Sequence, residues 1–114
     1  MGRNSLWGLA LALLAGCNSG VPFTCPDGGT TARYEDVGRP FLEANCNWCH
    51  AAGLQSRQGA PTEITFDTLD EVIRQRERIL IRATGDRPSM PPGPVKPDAA
   101  DRARFGVWLA CAPP

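Results

Sequence analysis

An all-α fold follows from three features of the 114-residue chain. Between Leu69 and Ala83, apolar residues recur at helical spacing at Leu69, Val72, Ile73, Ile79, Leu80 and Ala83. The stretch from Asp98 to Ala110 is crowded with apolar and small side chains, among them Ala103, Phe105, Gly106, Trp108 and Leu109. No segment alternates convincingly as a strand would, and Glu63-Ile64-Thr65-Phe66 is the only β-leaning run. Together these predict about three helices, the first ending in a cysteine-rich turn near Cys46.

The chain opens with an export signal. Arg3 supplies a basic start, and Leu6 to Leu14 form an apolar run too short to span a bilayer. The run ends Leu14-Ala15-Gly16-Cys17, which resembles the lipobox of bacterial lipoproteins. That resemblance implies a signal peptide over 1–16, cleavage before Cys17 and a lipid on Cys17, hence an exported protein anchored to a membrane and facing the periplasm or the cell exterior. A plain secretory signal containing a cysteine is the alternative. Residues 17–33, with Gly20, Pro22, Pro26, Gly28 and Gly29, read as a tether of little regular structure. Charge is balanced, with 12 basic and 12 acidic residues, so nothing argues for nucleic acid or for a strongly charged substrate.

The domain proper is expected over 34–114. Glu35 and Asp36 suit the first turn of a helix, and Val37, Phe41, Leu42 and Asn45 fall near one face of it. Pro40 does not belong in a helix interior, so the helix either starts near Arg39 or bends there. Ala51 to Thr65 is a loop. Thr68 or Asp67 caps the next helix, Asp70 and Glu71 occupy its first turn, and Gly85 ends it. Arg74, Arg78 and Arg82 recur every four residues, as a solvated row or as a docking patch for an acidic partner. Residues 86–97, DRPSMPPGPVKP, carry five prolines that hold a loop extended around Met90, the only methionine besides Met1. Asp98 opens the last helix.

The chemistry concentrates in Cys46-Asn47-Trp48-Cys49-His50. C-x-x-C-H is the spacing of covalent haem attachment: two thiols one helical turn apart reach the two vinyl groups of the porphyrin, and the next residue puts an imidazole under the iron. Half of a zinc site and a dithiol redox pair are the alternatives. A structural zinc needs four ligands, yet the other cysteines (Cys17, Cys25, Cys111) are isolated and His50 is the single histidine. No βαβ pattern surrounds the pair, as a thioredoxin-like site would require.

On this motif the chain resembles the cytochrome c family, as a class I-like monohaem domain. The resemblance implies one haem c, held by Cys46 and Cys49, with His50 as proximal ligand and Met90 as distal ligand from its proline-rich loop. It assigns to Pro61, in Gly59-Ala60-Pro61, the carbonyl that accepts a hydrogen bond from the proximal histidine. It also implies that Gly38 and Phe41, one turn apart, form a helix crossing with Phe105 and Trp108 or Leu109. Trp48 covers the haem edge or lies on the surface, and Arg57 pairs with a propionate or is solvated. With Cys17 lipidated and Cys46 and Cys49 holding haem, Cys25 and Cys111 remain, and in an oxidising compartment a disulfide between them is expected; two unrelated free thiols are the alternative. The implied function is electron transfer between redox partner proteins. A haem with both axial positions filled leaves no place for a small-molecule substrate, so an enzyme is not expected. A haem-based sensor, in which Met90 gives way to a ligand, and a haem subunit of a larger oxidoreductase are the competing readings.

Overall fold

The structure, a computed structural model, describes residues 20–113; the expected signal peptide and Cys17 lie outside the described residues. Within them the chain is all-α and contains no strand. A π-helical turn, Tyr34–Gly38, leads into α1 (Arg39–Asn45). Then come α2 (Asn47–His50), α3 (Leu69–Arg74), α4 (Arg76–Ala83) and α5 (Ala99–Cys111). No helix among these residues is long and apolar enough to cross a membrane.

Pro40 accounts for the first irregularity. It has no N–H to donate, and its ring crowds the carbonyl one turn back. The turn before it widens instead: Gly38 N–H reaches Arg33 O at 3.5 Å and Arg39 N–H bonds Tyr34 O, both five residues back. The helical path therefore begins at Tyr34 and becomes regular at Arg39, combining the two expected behaviours. The expected single helix from Leu69 to Ala83 is likewise divided. At Gln75 (φ −100°, ψ 9°) the N–H is shared between Glu71 O and Val72 O, a local tightening that separates α3 from α4. Val72, Ile79, Leu80 and Ala83 are still all buried.

The helix starts follow local chemistry. Asp98 Oδ1 accepts from Asp101 N–H at 2.7 Å and caps α5. At α3 the cap is Thr68, in a reciprocal capping box: its hydroxyl accepts from Glu71 N–H, and Glu71 Oε2 accepts from Thr68 N–H at 2.9 Å. The Thr65 hydroxyl donates to the other carboxylate oxygen. The Thr68 bond, then the Thr65 bond, holds the Glu71 carboxyl below the usual carboxylate range. Its stabilising contribution is therefore complete at neutral pH and is lost as acidification passes through that lowered value. Thr68→Ala should cost about 1 kcal/mol, which a thermal melt would read as a fall of roughly 4–8 °C in a domain of this size. An unchanged melt would show that this short helix is held by packing alone.

The core lies where the first helix crosses α5. Phe41 stacks on Phe105 with centroids 4.0 Å apart, and Tyr34 and Phe105 flank Trp108. A Cβ on Gly38 would sit 2.7–2.9 Å from the Trp108 ring, so only glycine lets the two backbones approach this closely. The crossing expected from Gly38, Phe41, Phe105 and Trp108 is thus formed. The segment before Tyr34 is irregular, as a tether should be, but its end is packed on the domain. Phe23 lies against Gly106 of α5, Pro22 lies against Gly85, and Cys25 is joined to Cys111 by a disulfide across 86 residues of sequence.

Candidate functional site

Cys46 joins α1 to α2, and Cys49 and His50 end α2. Cys46 N–H closes α1 on Leu42 O at 2.8 Å, and Cys49 and His50 N–H both return to Cys46 O at 3.1 and 3.0 Å. Spacings of three and four residues put the three side chains on one helix face. Cys46 and Cys49 are not bridged to each other or to any other residue. Burial pushes the Cys46 thiol up to about 12, against a smaller opposing pull from the Arg102 guanidinium.

The β-leaning run 63–66 does not become a strand. It forms the wall that fixes His50. Phe66 N–H donates to His50 O at 3.0 Å, the Phe66 ring lies 4.7 Å from the imidazole, and Asp67 Oδ2 accepts from Ala52 N–H at 2.9 Å. His50 Nδ1 lies 3.0 Å from Ile64 O. A carbonyl can only accept, so Nδ1 carries a proton, and in the neutral ring the lone pair is then on Nε2. The acceptor expected at Pro61 is therefore Ile64. The Pro61 carbonyl is occupied by Arg57 Nη2 at 2.8 Å, and the chain reaches the imidazole only three residues later. Arg57 also donates through Nη1 to Ala51 O at 2.7 Å and through Nη2 to Ile64 O at 2.9 Å. Its guanidinium is thus engaged with backbone and is neither simply solvated nor held out as a free arm.

Met90 is 37% exposed and so is not a core methionine. Its backbone is pinned on both sides: Met90 N–H donates to Arg82 O at 2.8 Å, and Met90 O accepts from Arg102 Nη1 at 2.7 Å. Arg102 is almost fully buried, and also donates to Ala83 O at 2.7 Å and Pro97 O at 3.3 Å. One side chain of α5 therefore ties the end of α4 to both sides of the methionine loop, while also acting on Cys46. Arg102 has no evident role in the sequence, among the apolar and small residues of α5. The signal was its register, since 102, 105–106 and 109 lie on one helical stripe with Phe105, Gly106 and Leu109. Trp48 is 74% exposed. Arg74, Arg78 and Arg82 are exposed, and none of them forms an ion pair among the described residues.

This donor set suits a covalently attached haem. It offers two unbridged thiols one turn apart, an imidazole whose Nδ1–H is held by a backbone carbonyl, and a thioether on an anchored loop. It suits zinc poorly, because among the described residues no three His, Cys, Asp or Glu side chains gather as a chelate requires. Comparison of the chain with protein-family models, with curated proteins and with solved structures gives no match.

Proposed function

We propose that this chain is an exported c-type electron-transfer protein, with one haem c on Cys46 and Cys49, His50 and Met90 as axial ligands, and a lipid anchor at Cys17. The observation that carries the reading is His50, whose ring is oriented by the Ile64 carbonyl so that Nε2 is left to bind iron, beside two cysteines at the attachment spacing. When bound, the haem supplies a one-electron iron couple. The chain's own residues do the rest. Cys46 and Cys49 would hold the group through thioether bonds in both oxidation states. The Ile64 carbonyl fixes the imidazole plane and raises its basicity. Arg82 and Arg102 hold the Met90 backbone from either side, so a weak thioether ligand is presented without a search through loop conformations. His50 and Met90 would both ligate the iron, and electrons would pass to and from redox partner proteins rather than to a bound substrate.

Acid–acetone extraction of the purified protein should leave the colour on the polypeptide. The reduced form should show the sharp α-band of a low-spin c haem, and the oxidised form a weak near-infrared sulfur-to-iron band. Freely extracted haem, or zinc in place of iron, would defeat the reading. Carbon monoxide binding to the reduced parent would favour a sensor instead. The colour should sediment with membranes and be released, or the chain left unprocessed, in Cys17→Ser.

A further inference from the structure

The Ile64 carbonyl carries two hydrogen bonds, and only one comes from His50. Its oxygen has two lone pairs. One takes His50 Nδ1–H at 3.0 Å and the other takes Arg57 Nη2–H at 2.9 Å. The same guanidinium grips Ala51 O and Pro61 O at 2.7 and 2.8 Å, so it is fixed from both ends of the loop that follows the motif. It forms no salt bridge among the described residues, and its Nε is buried without a partner. A half-buried cation whose Nη groups donate to carbonyls, and which has no carboxylate partner among the described residues, keeps its positive charge uncancelled beside the proximal ligand.

We infer that Arg57 is a positioning residue that sets the iron's reduction potential through the Ile64 carbonyl, an inference that rests on haem attachment at Cys46, Cys49 and His50. A strong acceptor on Nδ1–H makes an imidazole a better electron donor and so favours Fe(III). Charge-assisted donation from a guanidinium draws electron density out of that acceptor. His50 then donates less to the metal, and the oxidised state loses part of its advantage. The fixed positive charge acts in the same sense, because Fe(III) carries one more positive charge than Fe(II). Both effects raise the potential. The arginine fork matters beyond its charge, since one planar group serves three carbonyls where an ammonium would serve fewer.

The test is a spectroelectrochemical titration of the loaded protein. Arg57→Gln should lower the midpoint potential while the α-band and the sulfur-to-iron band stay in place. At a fixed applied potential the ferric-to-ferrous ratio should rise about tenfold, about 59 mV for one electron, the order expected of one charge-assisted hydrogen bond that differs between the two states. Arg57→Lys keeps the cation but not the fork and should fall between parent and Arg57→Gln. A parent-like potential in Arg57→Gln, or equal potentials in Arg57→Lys and Arg57→Gln, overturns the inference. Should Arg57→Gln fail to load haem, Arg57→Lys decides alone: a potential below the parent's supports the inference and a parent-like one overturns it. A parent without covalent haem defeats the proposed function together with this inference, whereas a loaded Arg57→Gln at unchanged potential defeats this inference alone.

Discussion

Arg102→Met should lose about 3–5 kcal/mol of stability and, in the loaded protein, the sulfur-to-iron band. Arg102 is 6% exposed and serves the carbonyls of Ala83, Met90 and Pro97. A buried acceptor left without its donor costs about 1–3 kcal/mol. Ala83 is buried and should approach the upper end, whereas Met90 and Pro97 lie on a loop that water can reach, so the three costs do not add in full. Burial already pulls the Arg102 guanidinium below its ordinary value, so methionine recovers some desolvation and the net loss stays within that range. The functional consequence follows from the loop. Without Arg102, Met90 is held on one side only, by the Arg82 carbonyl. An iron–thioether bond is weak and depends on the loop presenting it. The variant should therefore bind carbon monoxide when reduced, as Met90→Ala should. Arg102→Lys should recover part of the stability, since one ammonium cannot span three carbonyls with the same geometry. A parent-like melt together with a retained band would show that the prolines, rather than Arg102, hold the loop.

What the sequence disclosed and what it withheld divide along a physical line. Features set by local chemistry were legible: the Asp98 cap, the turn ending at Gly85, the disruption at Pro40 and the helical spacing of the buried residues in α3 and α4. The Gly38–Phe41 crossing was expected from the family resemblance rather than from the residues alone, and the Cys25–Cys111 bridge from the two cysteines left once the other three had been given roles; both are formed. The division between α3 and α4 was not legible, because Gln75 is neither a breaker nor a cap and its shared N–H is a feature of the folded helix. Nor was the His50 partner. A carbonyl acceptor belongs to the backbone and has no letter in the sequence, so a loop that follows a different course moves the role from Pro61 to Ile64. The two arginines were present but ambiguous. Arg57 and Arg102 resemble any surface arginine until the carbonyls they bind are seen. The packing of Phe23 on Gly106 was hidden for a related reason: polar and glycine-rich surroundings describe a spacer, and a single aromatic in one gives no hint of where it docks.

The crossing of the first helix with α5 should fail in opposite directions at its two contact points. Phe105 is fully buried, stacked on Phe41 and tilted against Trp108 at 5.6 Å. Phe105→Ala removes a ring from the centre of the core and should cost about 3–5 kcal/mol. Gly38→Ala adds a single methyl, but it must enter space held by three atoms of the Trp108 ring at 2.7–2.9 Å. That ring is itself buried and confined by Tyr34 and Phe105, so it cannot simply swing away. Overpacking of this kind costs about 1–3 kcal/mol. The two changes share one neighbour, Trp108, so they should not be independent. A ring pushed by a methyl at Gly38 can relax into the space that Phe105→Ala leaves behind. The double variant should therefore be less destabilised than the sum of the singles, with a coupling of about 0.5–3 kcal/mol. Denaturant unfolding of the four proteins, all with the Cys25–Cys111 bridge intact, closes the cycle. Strict additivity would mean that Trp108 does not transmit strain between the two helices, and that the close approach at Gly38 is tolerated by movement of the first helix instead.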